Sequence, residues 1–138
     1  MASNLAYLLD SSACIPVLRN KLDLSSLPSP AKCGIPMIVA AELWTGVKKS
    51  LNTHPHQAAK LEAFLSMFPI RDFNMNAALH YAEIRATLES KGQSIGPLDM
   101  LIAAQARSLG ATLVTGNTAE FKRVPGLKVF AIEKTSTY

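Results

Sequence analysis

Apolar residues come in two rhythms along this chain. Short apolar runs at residues 5–9 (LAYLL), 35–39 (IPMIV) and 112–115 (TLVT) have the length and content of buried strands. Between and after them, apolar residues recur at helical spacing. Ala40, Leu43, Trp44, Val47 and Leu51 predict a helix over about 40–50. Ala58, Leu61, Leu65 and Phe68 predict another over about 57–67, stopped by Pro69. Ala77, Tyr81, Ile84 and Leu88 predict a longer one over about 75–90, with Gly92 as its C-terminal cap. A helix over 98–108 ends at Gly110, and a short one covers 118–122. Residues 70–73 and 127–132 read as two further strands. Asp10-Ser11-Ser12 offers helix-capping side chains directly after the first strand, so a helix through 15–18 follows. Residues 25–30 (SSLPSP) are a loop, and Ser94-Ile95-Gly96-Pro97 is a turn. Strands that alternate with helices predict an α/β fold: a central, mainly parallel, twisted sheet flanked by helices.

Composition adds bounds to this picture. At 138 residues, 49% hydrophobic and 17% charged, the chain is expected to form one globular domain over residues 1–138. No apolar run approaches the ~20 residues of a membrane span, and the N-terminal segment MASNLAYLLD lacks the basic start of a secretory leader. Cys14 and Cys33 form no CxxC pair and no zinc spacing, which fits reduced thiols in a cytoplasmic protein. The formal charge of +4 suits a polyanionic partner but decides little alone.

The acidic residues change the picture more. Asp10 ends the first strand, at the sheet edge where open α/β folds bind ligands. Glu42 is expected in the first turn of the helix after the second strand, and Asp99 in the first turn of the helix after Pro97. Asn117 follows the strand 112–115. The alternation therefore places Asp10, Glu42, Asp99 and Asn117 on one rim. A first-turn acid also stabilises a helix dipole by ~0.3–1 kcal/mol, so Glu42 and Asp99 each have a plain capping role open to them. Asp10 is harder to explain that way. It follows an apolar run, and a half-buried carboxylate needs partners, which Ser11 and Ser12 are placed to supply.

Three blocks, YLLDSSACIPVLRN, IPMIVAAELWTGVKKS and SIGPLDMLIAAQARSLGATLVTGNTAEFKRVPGLKV, resemble PIN-domain ribonucleases of the VapC toxin type in wording, order and spacing. The resemblance runs from Tyr7 to Val129, and the third block is similar to the branch that cuts initiator tRNA. It implies a PIN-like α/β/α sandwich and an Asp, Glu, Asp, Asp/Asn site, which falls on Asp10, Glu42, Asp99 and Asn117. The chain departs from that branch in two places: Asp10-Ser11-Ser12 stands for DTN, and Gly116 precedes Asn117. Because the fourth position is an amide, Glu120 is an alternative ligand.

What the resemblance implies is metal-dependent endoribonuclease activity on RNA, of the tRNA class, with Mg2+ or Mn2+ as cofactor. Crowded carboxylates repel one another by ~4 kcal/mol per pair at 4 Å and an effective dielectric of 20, and a hard divalent cation relieves this. Such an ion activates water for phosphodiester hydrolysis. Asp10 and Asp99 would be the principal ligands, with Glu42 and Glu120 as further candidates. Ser11, Lys122 and Arg123 would contact substrate. A homodimer and a VapB-like antitoxin are the implied partners, with no membrane association.

Other features carry less. His54 and His56 flank Pro55 in a polar stretch and read as a solvated loop; His80 reads as structural. No GxSxG marks Ser11 as a nucleophile. Lys48, Lys49 and Lys128 read as surface, and Trp44 as core by its register with Leu43 and Val47. Gly46, one turn after Glu42, leaves room either for substrate or for a neighbouring helix. Two other classes compete: a catalytically degenerate PIN domain that only binds RNA or protein, and a phosphoacceptor or nucleotide-binding α/β domain. The three acids argue against the first, and the lack of a glycine-rich loop after the first strand argues against the second.

Overall fold

The computed structural model describes residues 5–132. Its strands are β1 (Tyr7–Leu9), β2 (Cys33–Pro36), β3 (Ile70–Arg71), β4 (Thr112–Thr115) and β5 (Lys128–Ala131). Its helices are α1 (Ser11–Leu18), α2 (Met37–Lys49), α3 (Gln57–Leu65), α4 (Met75–Ser90), α5 (Pro97–Ser108) and α6 (Thr118–Phe121). The strands form one five-stranded sheet in the order β3-β2-β1-β4-β5, and every pairing is parallel.

This order creates the feature that matters for function. From β1 the chain builds outward through β2 to β3, then returns through α4 and α5 to lay β4 on the other side of β1. The sheet therefore changes winding direction between β1 and β4. Such a switch point opens a crevice at the carboxyl ends of the two strands. Leu9 pairs with Val114, so the residues that follow, Asp10 just past β1 and Thr115 at the end of β4, lie side by side.

Why β1 sits centrally is plain from its side chains. Leu8 and Leu9 are fully buried, each contributing ~1.5–3 kcal/mol by leaving water. The ladder reaches one residue beyond β1, because the Ala6 N–H donates to Lys32 and the Thr112 N–H donates to Ala6. Gly34 in β2 lies where an added Cβ would meet Leu5 Cδ1 at 2.5 Å, so a larger residue there would require the Leu5 side chain to move.

Most predicted elements appear where expected, and α4 matches its predicted bounds at both ends. Gly92 and Gly110 take positive φ values of 62° and 64° just past α4 and α5, as helix-terminating glycines do. The 25–30 loop contains single 3-10 turns at its two ends, Leu24–Ser26 and Pro30–Lys32. The second strand is displaced. It is Cys33–Pro36 rather than 35–39, and α2 begins at Met37. Pro36, with φ of −60° and no N–H, ends the ladder and presets entry into the helix. Ile38 and Val39 are β-branched but helical; Val39, Leu43 and Val47 share the buried face of α2. Glu42 consequently lies in the second turn of α2, whose first turn holds no acidic residue. This removes the dipole-capping explanation for Glu42.

Candidate active site

Asp10 is the anchor of the site. It is only 4% exposed, and it caps α1 by accepting the Ala13 N–H at 3.0 Å on Oδ1. Ser12 Oγ donates to the same oxygen at 2.7 Å, and Thr115 Oγ1 donates to Oδ2. Both hydroxyls also accept a backbone donor: Gly116 N–H reaches Ser12 Oγ at 2.8 Å, and Asn117 N–H reaches Thr115 Oγ1 at 2.9 Å. The end of β1 is thus tied to the end of β4 through the carboxylate itself. Burial pushes the Asp10 pKa up; the hydrogen bonds from Thr115, Ser12 and Ala13 pull it back, and the nearby charge of Glu42 adds a smaller push upward.

Glu42 is half-buried and accepts a hydrogen bond from Ser11 Oγ at 2.7 Å. The two serines after Asp10 therefore divide their work, Ser12 holding Asp10 and Ser11 holding Glu42. Asp99 lies in the first turn of α5, and its pKa is raised to about 6. Burial is the main cause, followed by a hydrogen bond and charge repulsion from Glu120, then repulsion from Asp10 and Glu42. Asn117 is exposed, and its amide donates to Glu120 Oε2 at 3.0 Å.

The structure therefore brings together Asp10, Glu42, Asp99 and Glu120 as mutually interacting carboxylates, with Asn117 bonded to the last of them. Lys122 follows α6 at the surface, while Arg123 bonds the Ser94 carbonyl at 3.2 Å and so ties α6 to the turn before α5. Thr115 is the member that sequence reasoning missed. A threonine closing an apolar strand looks like an ordinary β-former, and only the β1/β4 register turns its hydroxyl into a partner of Asp10.

Several residues prove unrelated to the cluster. His80 Nδ1 accepts from Arg107 Nε at 2.8 Å, and Arg107 also pairs with Glu83, which makes His80 part of a structural bridge between α4 and α5. The two cysteines are free and buried, and burial raises both thiol pKa values, Cys33 to about 11, so neither is poised as a nucleophile. Trp44 packs partly buried against the core.

The donor set fits a hard divalent cation. All four side chains offer carboxylate oxygens, and the ion pairs among the described residues, Arg85–Glu89 and Arg107–Glu83, lie elsewhere. The pKa of Asp99 is raised first by burial and then by the surrounding carboxylates, and among the described residues no cation is paired with it. Among the described residues no three His, Cys, Asp or Glu side chains form a ready-made cation cage. A magnesium-type ion does not require one, since it binds one or two carboxylates and keeps several waters.

A crevice at a parallel-sheet switch point, lined by carboxylates from β1, α2, α5 and α6, defines a fold and site held in common with a known class. The chain belongs to the PIN-domain family, whose model matches residues 7–127. Within that family it is similar to VapC ribonucleases. It is 41% identical over 126 residues to Ribonuclease VapC2 of Rickettsia felis, covering 88% of this chain and 93% of the relative. It is 36% identical over 129 residues to the tRNA(fMet)-specific endonuclease VapC of Salmonella typhimurium, covering 91% and 96%. The crystal structure of DNA-bound VapBC from Salmonella typhimurium matches at a TM-score of 0.87 and 34% identity, over 94% of this chain and 99% of that one. VapBC2 from Rickettsia felis bound to a promoter DNA fragment matches at 0.86 and 38%, over 94% and 100%. Nucleases of this family generally depend on a divalent metal. Among the described residues no helix is long and apolar enough to cross a membrane.

Proposed function

We propose that the chain is a divalent-metal-dependent endoribonuclease of a toxin–antitoxin pair, cutting tRNA, with initiator tRNA as the first substrate to test. The observation that carries this reading is the Asp99 carboxyl. Burial, reinforced by the surrounding carboxylates of Glu120, Asp10 and Glu42, holds its pKa near 6. A partly buried carboxyl crowded by three others, with no ion pair to it among the described residues, is relieved by a bound divalent cation.

Bound there, Mg2+ or Mn2+ would supply an activated water and neutralise charge at the scissile phosphate. Asp10 and Asp99 would hold the ion. Asp10 is kept ionised and oriented by Thr115, Ser12 and the Ala13 N–H, a fixed frame that needs no rearrangement on binding. Glu42, oriented by Ser11, would bind the ion through water or orient the nucleophile. Glu120 is the fourth acid, and Asn117 orients it. Lys122 lies one turn from Asn117 and contacts the substrate backbone, with Arg123 beside it. One PIN unit carries the activity in the cytoplasm, as a homodimer that covers the exposed Met75 and Leu79 on α4, under control of a VapB-like antitoxin.

Incubation of the purified protein with total tRNA tests this reading. Discrete cleavage with Mg2+ or Mn2+, lost in EDTA and in Asp10→Asn, supports it. Intact tRNA under every metal condition, or cleavage that survives EDTA, overturns it.

A further inference from the structure

The four acids of the site are not equally well held. Asp10 has a fixed frame in Ser12, Thr115 and the Ala13 N–H, and Glu42 has Ser11. Asp99 and Glu120 face each other from two separate segments. Asp99 sits in the first turn of α5, whose N-terminus no side chain caps. Glu120 sits on α6, a single helical turn that also lacks a side-chain cap. Asn117 orients Glu120, but both belong to the same turn. Once ionised, two carboxylates so placed repel each other until a cation arrives. A contact between the segments is needed to hold the start of α5 against α6 beforehand.

Arg123 makes that contact. Phe121 and Val124 are buried and seat the inner side of its segment, which leaves Arg123 on the outer side. Its guanidinium Nη1 donates to the Ser94 carbonyl at 3.2 Å, and its backbone N–H donates to the Glu120 carbonyl at 3.0 Å. One residue is therefore bonded to the backbone of both acid-bearing segments. Ser94 opens the turn that leads through buried Ile95 to Pro97 at the start of α5. The far end of the Arg123 segment is fastened separately, where Arg107 in the last turn of α5 donates to the Pro125 carbonyl at 3.0 Å. Among the described residues the Arg123 guanidinium forms no ion pair with a carboxylate, so it braces the acids without neutralising them.

We infer that Arg123 is a positioning residue for the metal site: its bond to Ser94 sets the spacing of Asp99 and Glu120 before the ion binds. The inference rests on the metal-dependent ribonuclease reading above and goes beyond it, giving Arg123 a task separate from the backbone contact assigned to Lys122. Three roles for this arginine differ in sign. Acting on the site through its charge alone, it would oppose a divalent cation, so its removal would tighten metal binding. As a phosphate contact it would matter for RNA and not for the metal. As a brace, its removal weakens metal binding although a positive charge has been taken away, because part of the binding energy then goes into ordering the acids.

Mn2+ binding without RNA, followed by electron paramagnetic resonance, tests it. Arg123→Met keeps the aliphatic stem and removes donor and charge. It should weaken Mn2+ binding about three- to tenfold, what one solvent-facing hydrogen bond is worth. Arg123→Lys, which keeps the charge but not the planar fork, should also bind Mn2+ more weakly than wild type. Lys91→Ala, at the end of α4, is the charge control and should bind Mn2+ as wild type does. Hydrogen–deuterium exchange in EDTA supplies a readout independent of metal. Amides over residues 92–100 and 118–124 should exchange faster in Arg123→Met, while those of β1 and α2 should not. Mn2+ binding in Arg123→Met equal to or tighter than wild type overturns the inference, and so does unchanged exchange in both segments. A loss of tRNA affinity in Arg123→Met with Mn2+ affinity intact also overturns it and makes Arg123 a phosphate contact. A wild type that binds no Mn2+ yet shows the exchange difference refutes the metal-site reading while leaving the Ser94 brace standing.

Discussion

Replacing Asp99 with asparagine should make the metal-free protein more stable while destroying its activity. The carboxyl's pKa is raised from 3.8 to about 6 in the folded state. Between those values the native state holds a proton that the unfolded chain has released. Stability therefore falls as pH rises from about 3.8 to about 6, and the whole penalty is present at pH 7.5. Taken at face value the shift is worth ~3 kcal/mol at 1.36 kcal/mol per unit. Asp99 is half-open to solvent, which screens part of this, so ~1–2 kcal/mol is the expected gain on neutralisation. With ~2.1 cal/mol/K per residue of unfolding entropy, that is a rise in Tm of ~3–7 °C. Asparagine also offers Glu120 a permanent donor, which the carboxyl offers only when protonated. Thermal melts in EDTA at pH 7.5 read the difference, and melts near pH 3.5 should show it vanish. Added Mg2+ should reverse the order, because the wild type gains binding energy that the variant lacks. A variant that melts below wild type in EDTA at pH 7.5 would refute the reasoning, since it would mean that Asp99 is held by favourable partners rather than opposed by its neighbours.

Other consequences follow from the same geometry. Thr115→Val removes the donor to Asp10 Oδ2, so the acid limb of the cleavage–pH profile should move upward, and Thr115→Ser should restore it. Unchanged profiles in Thr115→Val would deny that this hydroxyl keeps Asp10 ionised. Glu120→Gln should weaken metal binding about tenfold or more and Asn117→Ala by less, because Asn117 acts through Glu120. The opposite order, read by Mn2+ titration, would return the fourth position to Asn117. Arg107→Ala breaks bonds to His80, Glu83 and the Pro125 carbonyl, so it should lower stability by ~1–3 kcal/mol and leave the cleavage rate of the folded protein unchanged. A rate loss in fully folded Arg107→Ala would extend the working site to the α4/α5 bridge.

How far this site could be read from the chain depended on which forces are local. Strand–helix alternation is local, and it carried Asp10, Glu42 and Asp99 to one rim. The start of α2 was misread because Ile38 and Val39 favour strands in isolation, while Pro36 and the apolar stripe Val39, Leu43, Val47 favour a helix. The error mattered, since it made Glu42 look like a helix cap. Ser11 and Ser12 were both expected to partner Asp10. Only Ser12 does, because the helical turn that starts at Ser11 directs that hydroxyl toward α2. Thr115 could not be found without the register of β1 on β4, which is a property of the whole sheet. The choice between Asn117 and Glu120 was likewise closed to spacing. They lie three residues apart on one helical turn and bond each other, so both reach the rim.

The central question is whether the acidic crevice binds a metal on which RNA cleavage depends. The direct measurement is Mn2+ binding, followed by electron paramagnetic resonance, alongside tRNA cleavage in the same samples for wild type, Asp10→Asn and Asp99→Asn. Wild type should bind Mn2+ and cleave as the site fills, and both variants should lose binding and cleavage together while remaining folded. Mn2+ binding of wild-type strength in Asp10→Asn and Asp99→Asn, or cleavage that proceeds without bound metal, would contradict it.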